Sequence, residues 1–215
     1  EDGIRDYKVT GVQTCALPIY RFSTVTSDNF AGGKALAEFL VAGGHRRIGY
    51  IAGWEGASTQ RDREAGFCAG LAAHGHKLFA RGVGDFRTET AAKAARAMFS
   101  ASEFPDAVFV ANDHMAFAVI EELRGNLGLR VPEDVSVVGY DDVQLSRWSS
   151  FDLTTVRQPS GEMVAETVAA LMAQIEDGET EPRRVKIDGP LVVRGSARRP
   201  ADWKANWKEC DDERL

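Results

Sequence analysis

Along this chain, short apolar runs of strand length alternate with longer stretches in which apolar residues recur at three- and four-residue spacing. Val135, Val137 and Val138 around Ser136 make a β-branched run too short for a helix, which reads as a strand buried on both faces of a parallel sheet. Pro132 marks its start, and Gly139 is expected to let the backbone turn at its end. Ile48–Gly53 (IGYIAG) and Ala107–Asp113 (AVFVAND) repeat the design. Phe22–Thr26 reads as a further short extended piece and Leu78–Val83 as an edge strand.

The stretches between these runs predict helices. Asp28 or Asn29 caps one that runs to about Ala42, with Leu36, Phe39 and Leu40 on one face and Gly43–Gly44 as its stop. A second runs from about Thr59 to Ala73 with Ala65, Cys68, Ala69 and Ala72 expected inward, ending near Gly75. Thr88–Phe99 is an Ala-rich helix and Asp113–Leu127 another. Strand and helix thus alternate with short connections, the pattern of an α/β protein with a doubly wound parallel sheet. A flavodoxin-like strand order places the switch point between Ile48–Ala52 and Val108–Ala111.

After Tyr140 the pattern changes. Leu153–Val156 reads as a strand, and Pro159 opens a helix through about Glu176 with Met163, Val164, Val168, Leu171, Met172 and Ile175 along one stripe, closed by Gly178. Val185–Ile187 and Leu191–Val193 around Asp188–Gly189 look like a hairpin. The tail Ala197–Leu215 is charged, lacks periodicity and is expected to be mobile despite Trp203 and Trp207.

Three predicted strand ends carry polar groups to one edge, the carboxyl edge at which open α/β sheets bind ligands. They are Asp141 and Asp142 after Tyr140, Asn112 and Asp113 after Ala111, and Ser58, Thr59, Arg61 and Arg63 in and after the loop that follows Gly53. Carboxylate, amide and guanidinium together suit a polyhydroxyl ligand: one accepts, one does both, one donates in a fixed fork. Phe86 offers an apolar platform. The competing readings are a cap and a solvated acid for Asp141 and Asp142, a solvated arginine or a partner of Asp62 or Glu64 for Arg63, and a core aromatic for Phe86.

Charge and chemistry narrow the classes. The 215 residues are 44% hydrophobic and 27% charged, enough for one sizeable core or two small ones. No run approaches membrane-spanning length. Net charge is −6, so a basic nucleic-acid footprint is missing from these residues. Cys68 and Cys210 show neither paired nor metal spacing, which fits a reducing cytoplasm. There is no GxSxG elbow, P-loop, GxGxxG after a strand, HExxH or CxxC, and Gly82-Val83-Gly84 is too short to count, so no enzyme, cofactor or metal is expected. His45 in GGHRRI is expected to fix a turn, and His74 and His76 lack further ligands.

The first nineteen residues stand apart. Glu1–Asp6 (EDGIRD) and Val9–Ile19 (VTGVQTCALPI) resemble the in-frame translation of a short-read sequencing adapter, with Tyr7 and Lys8 where its variable index falls. On that reading Cys15 is not native, and removing Glu1, Asp2 and Asp6 with Arg5 and Lys8 changes the net charge by one, to −5. Native sequence is expected to enter at Tyr20.

The stretches DNFAGGKALAEFLVAGGHRRIGYIAG, STQRDREAGF, FPDAVFVANDHMAFAVIEEL, LRVPEDVSVVGYDD, LTTVRQPSGEM and LVVRGSARRP, in this order from about Ser23 to Pro200, resemble the effector-binding core of the LacI/GalR family of bacterial transcription regulators. GHRRI, VPEDVSVVGYDD and LTTVRQP are the group-specific motifs. The resemblance implies a periplasmic-binding-protein-like type I core of two lobes, with a small effector between them, a homodimer, and operator DNA bound by an N-terminal helix-turn-helix domain that lies outside this sequence.

It also implies a division of the chain: residues 1–19 adapter-like, 20–27 a crossover strand, 28–157 the C-terminal lobe, 158–183 a remnant of the N-terminal lobe, 184–198 returning strands and 199–215 a tail. The Pro159–Glu176 stripe should then lack the sheet it was shaped for. By position, Arg63 matches the arginine that contacts effector hydroxyls or carboxylates, Asn112 the amide after the AND-type strand, Asp141 the first acid of GYDD and Phe86 the ring-stacking aromatic. Ser58 and Thr59 lie near hydroxyl contacts and Gln158 at the lobe junction. His114 is expected to be a surface residue, and Ser160 replaces an aromatic of some sugar-binding members. The implied function is sensing of a small polar metabolite, a sugar or related polyol, by a cytoplasmic repressor; the alternative is a periplasmic sugar-binding protein of a transport system.

Overall fold

A computed structural model describes residues 23–176 and 181–201. The adapter-like segment, Phe22, the expected stop at Gly178, and the tail with Trp203, Trp207 and Cys210 lie outside the described residues. The elements in chain order are β1 (Thr24–Ser27), α1 (Asn29–Ala42), β2 (Ile48–Ala52), α2 (Ser58–Ala73), β3 (Ala80–Val83), α3 (Thr88–Phe99), β4 (Ala107–Val110), α4 (Asp113–Glu121), β5 (Ser136–Asp141), β6 (Thr154–Arg157), α5 (Ser160–Glu176), β7 (Arg184–Ile187) and β8 (Leu191–Val192).

Six strands form the main sheet in the order β3-β2-β4-β5-β6-β8, parallel except for β8, which runs antiparallel to β6. The first five follow a flavodoxin-like order, and the switch point then falls between β2 and β4. Every residue of β2 and β4 is buried, as a continuous apolar run between two helical layers requires. Alternate side chains reach opposite layers: Tyr50 lies against Phe67 of α2, while Gly49 faces Met98 of α3. β3, at the edge, is only half covered.

Asp28 caps α1 by accepting from the Ala31 N–H, and Gly43 followed by Gly44 at φ 80° ends it. α2 is phased differently from the expectation. Ala65, Ala69 and Ala72 are exposed and Cys68 half-buried, while Gln60, Arg63, Gly66, Phe67, Gly70 and Leu71 face inward. The cause is backbone contact between α1 and α2: a Cβ on Gly66 would lie 2.0 Å from the Phe30 carbonyl oxygen. Glycine rather than alanine therefore marks the buried face, and this close crossing carries Arg63 toward the start of α1.

Three further expectations are corrected. α4 gives way at Glu122 to a π-helical turn through Asn126 before reaching Leu127. The segments around Asp188–Gly189 do not form a hairpin: β7 pairs in parallel with β1 as a separate two-stranded sheet, and β8 joins β6. Ile187 finds its partner in Ser27, so the local turn residues mark a passage between two sheets. The tail is anchored at its start, since Ala197 and Pro200 are buried and the Arg198 N–H donates to Ser136 Oγ at 2.9 Å.

α5 packs on β1 and β7 and buries only Ala170 fully. Val164, Val168, Leu171, Met172 and Ile175 stay exposed, up to 68% for Ile175. Among the described residues no helix is long and apolar enough to cross a membrane.

Candidate small-molecule site at the carboxyl edge

Asn112, the Ser58–Thr59 turn, Phe86 and Asp141 stand at the carboxyl ends of β4, β2, β3 and β5, four adjacent strands. Gly139 is not the turn residue expected at the end of β5. It is extended and paired with Thr155, and its lack of a side chain admits the Asp113 carboxylate, which a Cβ would meet at 2.3 Å. The turn is made by Asp141 and Asp142 themselves, at φ 125° and 54°. Two successive acids in backbone conformations that side chains disfavour hold strain at the carboxyl edge of the sheet.

The two carboxylates do different work, and neither is a helix cap or a solvated acid. Asp142 has no exposed side-chain surface: its Oδ1 takes Arg194 Nη2 at 2.6 Å and its Oδ2 takes Arg157 Nε. It fixes the ends of β5 and β6 to the segment after β8. Asp113 is buried and accepts from Thr155 Oγ1, Ser146 Oγ and the Val143 N–H. Burial pushes the Asp113 carboxyl up, against those three hydrogen bonds.

Asp141 remains partly open, with 24% of its side chain exposed. Its Oδ1 accepts from Gln158 Nε2 at 3.0 Å and faces Arg63 Nη2 at 3.6 Å. Burial raises its carboxyl, opposed by Arg63, by the Gln158 bond and by the His114 side chain. His114 is exposed in the first turn of α4, as expected, and lies edge-on to Phe117.

Arg63 is 5% exposed and oriented on every side. Its Nε donates to Asn29 Oδ1 and its Nη1 to the Ala111 carbonyl, both at 2.7 Å, and its guanidinium carbon stands 3.7 Å above the centre of the Tyr140 ring. Neither Asp62 nor Glu64 is its partner. The 3.6 Å separation from Asp141 is an ion pair but too long for a hydrogen bond, so Nη2 and Oδ1 can both be engaged by one ligand hydroxyl.

Asn112 caps α4, accepting from the Met115 N–H at 3.0 Å, so its Nδ2 is the group it offers a ligand. Phe86, at φ 56° beside Asp85 at 55°, lays its ring across Gly53, where a Cβ would overlap it, and keeps 36% exposure. It is a part-exposed aromatic at the sheet edge rather than a core aromatic. Ser58 and Thr59 are half-buried in the first turn of α2, behind an Ala57 cap position. Arg63, Asp141 and Gln158 are thus joined directly, Asn112 adjoins the carbonyl that holds Arg63, and the other three line the same edge further along.

Two residues escaped the sequence reading. Asn29 was legible only as a cap, yet it orients Arg63. Gln60, buried on the inward face of α2, accepts from Tyr50 OH at 2.8 Å and from the Gly53 N–H at 2.9 Å, pinning the backbone beneath Phe86. Phasing α2 on Arg63, Phe67 and Leu71 places Gln60 on the same face, a signal hidden by the alanines.

Residues 37–197 match the profile of the periplasmic binding protein-like domain. The HTH-type transcriptional regulator CelR of Thermobifida fusca is 36% identical over 190 residues, 87% of this chain and 56% of that protein. The HTH-type transcriptional repressor PurR of Photobacterium profundum is 34% identical over 169 residues, 78% of this chain and 50% of that protein. A solved CelR–cellobiose complex superposes with TM-score 0.78 at 35% identity, covering 84% of this chain and 56% of that one. A dimeric Lac repressor does so with TM-score 0.77 at 29% identity, covering 84% and 66%. The chain spans about half the length of the curated relatives it matches. It belongs to the periplasmic-binding-protein-like family, as the effector-binding core of a LacI/GalR-type regulator.

Proposed function

We propose that this core senses a small polyhydroxyl metabolite, a sugar or related polyol, and thereby controls operator binding by a helix-turn-helix part of a cytoplasmic regulator. The observation that carries the reading is the Arg63–Asp141 pair, held 3.6 Å apart at the carboxyl edge by Asn29, Ala111 and Gln158. A hydroxyl entering there accepts from the guanidinium and donates to the carboxylate, two charge-assisted bonds for one group. Asn112 Nδ2, the hydroxyls of Ser58 and Thr59 and the open face of Phe86 supply further polar contacts and a ring platform. The relatives' regulator names and the cellobiose in the CelR complex support both parts of the proposal. By analogy with the dimeric Lac repressor, the full-length gene product is a homodimer.

A transport protein of the same family is the second reading, favoured by the domain description alone. A thermal-shift screen of the full-length gene product against sugars, sugar phosphates and nucleosides, followed by operator gel shifts with each hit, separates the two. A hit that alters operator affinity supports the regulator. A ligand-binding protein with no operator affinity and a cleaved signal peptide supports transport, and turnover of the hit supports an enzyme instead.

A further inference from the structure

The main sheet and the β1–β7 sheet are joined by three passages of the chain, and two of them run beside the effector-facing pair. The first leaves β1 at Ser27 and enters α1 at Asn29. The second leaves β6 at Arg157 and enters α5 at Ser160, with Gln158 between. The Asn29 side chain faces both ways at the first: its Nδ2 donates to the Ser27 carbonyl at 2.9 Å, and its Oδ1 accepts from Arg63 Nε at 2.7 Å. Tyr140, under the same guanidinium, reaches Ser27 Oγ with its hydroxyl at 3.1 Å. At the second passage Gln158 is tied twice to Asp141, by Nε2 to the carboxylate at 3.0 Å and by its N–H to the Asp141 carbonyl at 3.3 Å.

We propose that Asn29 and Gln158 are positioning residues that tie the Arg63–Asp141 pair to both passages, so that the two passages respond as one unit through the pair. Its bearing on effector binding rests on Arg63 and Asp141 being the effector-facing groups. The unbroken line of contacts is Ser27, Asn29, Arg63, Asp141, Gln158, and every member is buried or half-buried. Asp141 Oδ1 serves both Gln158 and Arg63, so a hydroxyl that draws this oxygen toward itself weakens its hold on Gln158. The same hydroxyl, by engaging Nη2, reorients the fork whose Nε holds Asn29. Proximity alone is not coupling; coupling is shown when a change at one end alters the other through the members between.

The test needs no effector, so its failure leaves the effector reading standing, and failed effector binding leaves the coupling standing. Amide hydrogen exchange is followed by NMR in the folded chain. The reporters are Ser160, whose N–H donates to the Gln158 carbonyl at 2.8 Å, and Met163, whose N–H donates to the Pro159 carbonyl at 2.9 Å. Asn29→Ala should speed exchange at both several-fold, although it touches neither. Asn29→Asp, which keeps the acceptor for Arg63, should leave them near the wild-type rate. In an Arg63→Lys background, where the fork is absent, Asn29→Ala should add nothing. Unchanged exchange at Ser160 and Met163, or an effect that persists undiminished with Lys at position 63, overturns the proposal. If Asn29→Ala does not fold, Gln158→Leu is read at the Asp28 and Ala31 amides, where a several-fold rise supports the coupling and wild-type rates overturn it.

Discussion

His45 should make the stability of this domain fall between neutral and mildly acidic pH. The imidazole is 1% exposed, and its Nδ1 lies 2.8 Å from Arg198 Nη2, which can only donate. Nδ1 therefore accepts, and the proton of the neutral ring sits on Nε2, a buried atom with no partner among the described residues. Asp106, 3.3 Å away, accepts instead from the Arg46 and Arg47 N–H groups. A second proton on the ring would be buried against Arg198. Burial first and Arg198 second push the His45 pKa down from 6.5 to about 4, over the opposing pull of Asp106.

The folded state thus keeps the ring neutral where the unfolded chain protonates it. Its stabilising contribution is complete above the unfolded value of 6.5 and is lost as pH falls toward 4. At about 1.36 kcal/mol per pKa unit, the loss reaches roughly 2 kcal/mol by pH ~5 and roughly 3 kcal/mol at its limit. Urea unfolding of wild type and His45→Gln at pH ~7, ~6 and ~5 reads it, since Gln accepts from Arg198 but does not titrate. Other titrating groups are common to both proteins and cancel. The wild type should lose about 2 kcal/mol more than the variant across that range. Equal losses would refute the buried neutral imidazole.

Gly66→Ala forces a methyl against the Phe30 carbonyl, so α1 and α2 must part; a loss of about 1–3 kcal/mol is expected in urea unfolding, with weakened protection of the Arg63 Nε–H seen by NMR. Asp142→Ala leaves Arg157 and Arg194 around a vacated buried carboxylate and should cost about 3–5 kcal/mol, read as a lowered Tm; a change under about 1 kcal/mol would contradict the buried, charge-paired role of Asp142. The exposed stripe of α5 forfeits roughly 25 cal/mol per Å² of burial. Amides of α5 in a monomeric sample should therefore exchange well before those of β5, and equal protection would contradict this.

The parallel sheet was legible because β2, β4 and β5 are short runs with apolar residues at successive positions, a pattern produced by burial on both faces. Their flavodoxin-like order agrees with the short connections between them. α2 resisted because its buried face holds Gln60, Arg63 and two glycines, so hydrophobicity points to the wrong side. The strands around Gly189 were misread because a turn signal is local while the partner of Ile187 is Ser27, far away in sequence. Arg63, Asp141 and Gln158 were recoverable as polar residues at strand ends and through the family motifs. The role of Asn29 was not, because a cap and a clamp use the same side chain.

If the Arg63–Asp141 pair captures the effector as proposed, loss of either side chain weakens binding. Titration calorimetry of a compound identified by the thermal-shift screen, on the full-length gene product and its Arg63→Ala and Asp141→Asn variants, tests this most directly. Each substitution removes a charge-assisted hydrogen bond worth about 1.5–3 kcal/mol, so each should weaken binding roughly ten- to a hundredfold. Operator affinity without effector should survive Asp141→Asn. Unchanged effector affinity in both variants would place the site elsewhere on the molecule.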